Sequence, residues 1–336
     1  MAARDAQAGP GVIDCLSQGF AQVNRVLWVT LFPIALDVFL WAAPRISAAP
    51  LAERWLNLWS QTLAEASAAG SAGGPLDSQS IDLARSSIDG SAIPDLLSLL
   101  AGNVASVAVP AIVPAQRLLP GQVFEVVGLG SFLALVAGLQ LVGLLLGCVY
   151  LGLIGQQVRE GRVSLNRLGP RVWRYWLNAL GFICLLIATC LALSLPLGLI
   201  VLVLSLVAPS LAAAVTLAFW LGAAIAWLCA LIYLFFVADA IVLGELGPVA
   251  AIKSSVWLVR RHLGPSLTLI VLIVFISLGM QQIWGVLSRQ SWGLGLAVVG
   301  NAYVASGLAA ASMLFYRHRA APPRPRTSTV SRGAAS

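Results

Sequence analysis

The sequence predicts an all-α integral membrane protein with six transmembrane helices in three hairpins, joined by amphipathic helices that lie along the cytoplasmic membrane surface. Three observations carry that prediction. Leu177 to Ala238 runs about sixty residues without a charged side chain, enough for two crossings of a hydrocarbon core that takes roughly 20 helical residues to span. The chain is 59% hydrophobic and 10% charged, with a mean hydropathy of +0.91. That leaves too little polar surface to cover a water-soluble globule of 336 residues. Finally, nineteen of the twenty basic residues are Arg, most of them beside apolar runs. The net charge of +7 therefore reads as membrane topology and not as a nucleic-acid surface.

The expected spans are 26–43, 130–155, 177–206, 211–238, 265–286 and 293–316, helical because backbone polar groups have no water partner in lipid. The turn of the middle hairpin falls at Pro209 and Ser210. With both termini in the cytoplasm, fifteen basic residues lie inside, including Arg159, Arg162, Arg167, Arg171 and Arg174. Five lie outside: Arg45, Arg54, Arg85, Arg117 and Arg289. The positive-inside rule selects this orientation in a bacterial cytoplasmic membrane. The basic, amphipathic segment before the first span is too long for a signal peptide, so that span is expected to be permanent.

Three elements border the spans. Residues 1–25 form a cytoplasmic interfacial helix, with Val12, Ile13, Leu16, Phe20 and Val23 on its apolar face. The external region 44–124 is mildly acidic; Leu51, Trp55, Leu58, Trp59 and Leu63 form the face of a helix on the outer surface, and Ala66–Pro75 is a flexible linker. Within it, Leu96–Ala115 is uncharged and as long as a span. It is placed outside because a crossing there would turn Arg159–Arg174 outward and put Pro110 and Pro114 in lipid. The tail 317–336 is basic, disordered and cytoplasmic. Similar basic amphipathic elbows precede the third span, at Leu168–Trp176, and the fifth, at Gly247–His262, where Pro248 starts the helix. The domain limits are thus 1–25, the membrane domain 26–316 and the tail.

The last elbow carries a recognisable pattern. Glu245 follows the apolar end of the fourth span, and Ala251, Ile252, Lys253, Ser255, Trp257 and Arg260 lead into the fifth. The segment Ala238–Arg261 resembles the membrane domain attached to some bacterial glycerophosphoryl diester phosphodiesterases and found in many multi-pass proteins. The resemblance extends at most over Arg159–Tyr316. No stretch resembles the soluble phosphodiesterase domain, so it implies the six-helix architecture and not the hydrolase activity.

Candidate functional residues are few. Asp37, inside the first span, reads either as a proton or cation site or as a side chain that reaches the outer interface or pairs with Arg45. Asp239 and Glu245, with Lys253, Arg260 and Arg261, form either a charged vestibule for a lipid headgroup or a structural joint. In the joint, Glu245 pairs with Lys253 or with an Arg of the Arg171–Arg174 cluster. Asn301, Gln281 and Gln282 are expected to hold helices together. Gly143 and Gly147 make a GxxxG pattern suited to helix packing, including self-association. Pro33 and Pro196 predict kinks. Cys15, Cys148, Cys184, Cys190 and Cys229 lack metal or disulfide spacing. No HExxH, GxSxG, Walker A or GxGxxG pattern appears, so neither metal nor cofactor is expected. The function expected is a non-enzymatic structural or interaction module with membrane lipids as partners, a basic inner surface meeting anionic headgroups, and no nucleic acid. The alternative is a small-solute or lipid transporter acting through Asp37.

Overall fold

Long apolar runs close their backbone hydrogen bonds within themselves, and the described residues of the computed structural model are accordingly 89% helical. The structure describes residues 10–68, 96–102, 123–287 and 291–320. The helices are α1 (Val12–Asn24), α2 (Leu31–Ala42), α3 (Ala49–Ala68), α4 (Leu99–Gly102), α5 (Leu129–Glu160), α6 (Leu165–Val207), α7 (Pro209–Tyr233), α8 (Val237–Gly244), α9 (Pro248–Arg261), α10 (Leu263–Leu287) and α11 (Ser291–Ala320). Two short parallel strands, β1 (Arg45–Ser47) and β2 (Val123–Glu125), pair Arg45 with Val123 and Ser47 with Glu125. They tie the end of α2 to the start of α5.

Among the described residues, five segments are long and apolar enough to cross a membrane: α5, α6, α7 continued by α8, α10 and α11. They match the expected second to sixth spans, and α7 begins at Pro209, where the turn was expected. The expected first span is the least extended. The 90° bend falls at Arg25–Val26, between α1 and the arm Leu27–Leu40, where the interfacial helix was expected to give way to the span; that arm starts as a 3₁₀ turn at Leu27–Thr30 and continues as α2. The 4 residues of that turn and the 12 of α2 together reach about 26 Å, a little short of a roughly 30 Å hydrocarbon core. A sixth crossing exists only if the bent pair counts as one. The fourth span is likewise interrupted, at Leu234–Phe236, where Phe235 and Phe236 are buried.

The core gathers around the last helix. Two-thirds (67%) of the most apolar 18-residue window of α11 is inside the protein, whereas the corresponding window of α6 has no buried residue. The α1 helix, expected at the membrane surface, packs antiparallel along α11. Arg319 donates to the Pro10 carbonyl at 3.5 Å at one end, and the Tyr303 hydroxyl donates to Asn24 Oδ1 at 3.0 Å at the other. The physical reason is two facing glycines. A methyl at Gly19 would lie 2.7 Å from both Ala311 N and Gly307 O, and one at Gly307 would strike the Phe20 ring. The face turned to α11 is therefore Cys15, Gly19 and Val23, while Ile13, which belongs to the apolar face expected to lie on the membrane, is 78% exposed.

The uncharged Leu96–Ala115 stretch is described only as far as Gly102. Leu96, Leu97 and Leu100 are buried, and the backbone of Leu99 and Leu100 sits against Gly143 of α5, 2.9 Å from where its Cβ would be. The close approach that the Gly143 and Gly147 pattern permits is thus made within the chain at Gly143; Gly147 is also buried. Of the face expected on α3, Trp55, Leu58 and Trp59 are exposed; the residue of that helix turned inward is Leu56, which was not part of it. The tail is described only to Ala320, and most of Ala66–Pro75 lies outside the described residues.

Candidate functional site

At the arginine-rich end, α5 finishes with Arg159 and Glu160, turns at Gly161 and returns as α6. Nearby, α8 ends at Gly244, and Glu245 follows it with φ 51° and ψ 31°. That left-handed backbone swings the Glu245 side chain back toward the α5–α6 corner. Arg159 Nη1 is 2.8 Å from Glu245 Oε1, and Arg171 Nη1 is 2.9 Å from Glu160 Oε1. Longer contacts of 3.6 Å join Arg171 Nε to Glu245 and Arg159 Nη2 to Glu160. All four side chains keep some exposure, so each pair contributes about 0.2–1 kcal/mol. Together they fix how the α8–α9 corner meets the α5–α6 corner.

Beside this network lies a small surface cleft lined by Arg171, Arg174, Tyr175, Asn178 and Glu245. Four of these residues come from α6 at spacings of three and four, which places them on one helical face. Tyr175 is buried and Arg174 exposed. No hydrogen bond or ion pair joins Arg174 to another described residue. One turn further on, Gly181 packs against the Pro248 ring. On the adjoining side, Trp173 and Trp176 stack with centroids 4.8 Å apart, and the Trp176 indole donates to the Leu141 carbonyl at 3.1 Å.

The joint beneath is held by hydroxyls. The Ser312 Oγ donates to the buried Asp239 carboxylate, and Ser255 donates to the Tyr233 carbonyl at 2.7 Å. The latter bond satisfies an oxygen released where α7 breaks. Ser254 and the Tyr316 hydroxyl are 2.7 Å apart, and Arg317 donates to the Val158 carbonyl.

The expected vestibule is therefore only partly assembled. Glu245 meets an Arg of the expected cluster, Arg171, but not Lys253. Its closer partner is Arg159, which sequence reasoning missed. Lys253 and Arg260 are exposed on α9; beside Arg260, Arg261 lies over the Trp257 ring at 5.2 Å. Asp239 is one helix turn and more inside the joint, bonded to Ser312. Asp37 is 1% exposed and Asn301 5%, so both are inside the protein; Asp37 does not reach an outer surface. The Arg45 side chain lies outside the description. Gln281 and Gln282 are exposed. His262, in the turn between α9 and α10, is held below the ordinary histidine range by burial and then by Arg319 and Arg261. The missed cleft did leave a signal: Arg171, Arg174, Tyr175 and Asn178 form a polar stripe on the last turns before an uncharged helix.

A corner of paired charges at the foot of five long apolar helices is what a helical, multi-pass membrane protein requires. Among known proteins, no family model, no curated protein and no solved structure matches the chain.

Proposed function

We propose that the chain is a non-enzymatic, multi-pass protein of a bacterial cytoplasmic membrane, with both termini in the cytoplasm, that serves as an interaction module for lipid of the inner leaflet. The resemblance of Ala238–Arg261 to the membrane domain of glycerophosphoryl diester phosphodiesterases fits such a module. One observation carries the reading. The α6–α7 hairpin leaves its side chains bare: Leu195, Leu199 and Val203 on α6, and Leu217, Leu221 and Leu228 on α7, are all more than half exposed. Its foot, by contrast, is pinned to the core through Arg171 and Glu245. An apolar hairpin rooted at its foot, with these flanks covered by no described residue, has lipid as its partner, and the guanidinium groups at its foot select anionic headgroups.

The test is the lipid that copurifies with the full chain in mild detergent. Anionic phospholipid enriched over the bulk membrane is the expected result; the bulk composition would remove the proposal. A reporter fused at Arg167 is expected to stay on the cytoplasmic side, and periplasmic exposure would overturn the orientation.

A further inference from the structure

We propose that the cleft between α6 and Glu245 binds the phosphodiester group of an anionic phospholipid, with Arg174 as the principal contact. This rests on the lipid-module reading and gives it a specific site. Charge is the first argument. The corner holds three guanidinium groups, Arg159, Arg171 and Arg174, against two carboxylates, Glu160 and Glu245, leaving one positive charge uncompensated. A phosphodiester carries one negative charge and accepts several hydrogen bonds.

Division of labour among the arginines is the second argument. Arg171 is committed to Glu160 and Glu245, and Arg159 to Glu245. Arg174, one turn along the same face, projects into the cleft with no partner among the described residues. Asn178 lines the next turn, and its amide can donate to a second phosphate oxygen. The carboxylates hold the neighbouring guanidinium groups in place, so Arg174 meets a preformed wall and not a mobile one.

Position is the third argument. Arg174 lies three residues before Leu177, where the uncharged stretch begins. Leu177 and Leu185, both exposed, continue the α6 surface from the cleft into the apolar zone and offer an acyl chain a track. The exposed Trp173 stacks on Trp176 at the same level, where indoles favour the headgroup layer. A phosphate in the cleft would thus have its glycerol at the depth of the tryptophans and its chains along the hairpin. A free phosphate would use the arginine but not the track, and that difference separates the two sources.

The experiment is a titration of the full chain in detergent with phosphatidylglycerol, phosphatidylcholine and inorganic phosphate, read by native mass spectrometry. Phosphatidylglycerol is expected to bind at least about tenfold more tightly than phosphatidylcholine, and Arg174→Ala to remove about tenfold of that affinity, as loss of one charge-assisted bond does. Arg260→Ala, an equal loss of charge outside the cleft, is expected to change it by less than about twofold. Asn178→Leu is expected to weaken it by several-fold while leaving the charge intact. Equal weakening by Arg174→Ala and Arg260→Ala would overturn the site, leaving a generic basic surface. So would displacement of the lipid by millimolar phosphate alone. If copurified anionic lipid stays enriched in Arg174→Ala, the site fails and the wider module reading stands; no enrichment in the parent protein ends both.

Discussion

Glu245 occupies the left-handed backbone region with φ 51°, where a residue with a Cβ is strained by roughly 1 kcal/mol relative to glycine. It is the one non-glycine residue with positive φ among those described. A helix ending this way would ordinarily take glycine after its last turn; here the carboxylate is worth keeping because it reaches Arg159 and Arg171. Two substitutions separate the backbone from the side chain. Glu245→Ala and Glu245→Gly both lose the ion pairs, but only the glycine relieves the strain. The glycine variant is expected to be about 1 kcal/mol more stable than the alanine variant, measured as the difference in unfolding midpoint in detergent. Equal midpoints would show that no strain is stored there. The pairing with Arg171 was legible in the sequence because both residues border the same uncharged stretch. The pairing with Arg159, 86 positions away, was not, because it depends on how two corners meet and no local spacing encodes that.

The helices themselves were legible; their partners were less so. Apolar runs announced α5, α6, α10 and α11, and Pro209 announced the start of α7. The break at Leu234–Phe236 lies inside apolar sequence, so hydropathy runs across it unchanged, whereas the 90° bend between α1 and α2 falls at Arg25–Val26, where the charge marks the end of the first amphipathic segment. The α1 helix shows the limit best. Its periodicity is that of an amphipathic helix, which hydrophobicity alone lays on the membrane with Ile13 toward the lipid. Shape decides otherwise, because Gly19 and Gly307 let two backbones touch and bring Cys15 to 0% exposure. Dispersion contacts of that kind carry helix association where lipid is as apolar as leucine. Gly19→Val inserts a branched side chain where a methyl already meets backbone at 2.7 Å and is expected to lift α1 from α11. In a chain whose other four cysteines are replaced by Ala, maleimide should label Cys15 slowly in the parent and at least about tenfold faster in the Gly19→Val variant, since opening exposes a fully buried thiol. Unchanged labelling would show that α1 does not depend on the glycine contact.

For the molecule as a whole, exposure has to be read against the solvent. Leu199 is 63% exposed and Leu206 81%, both on α6. In water, replacing either with Asp would change stability by no more than about 0.5 kcal/mol, and the more exposed position would be the more tolerant. In a bilayer the ordering depends on depth. Leu206 is two residues before the turn at Ala208, near the interface. Leu199 lies a further seven residues in, about 10 Å along the helix at 1.5 Å per residue, toward the middle of the hydrocarbon. An Asp at a span centre costs about 2.5–3.5 kcal/mol for insertion, and the penalty shrinks toward the ends. Leu199→Asp is therefore expected to lower the fraction of chain that resists alkaline carbonate extraction, or its unfolding midpoint, well below that of Leu206→Asp. Matching tolerance at the two positions would mean that the bare flank of the hairpin faces water, and with it would go the lipid contact on which the proposed function depends.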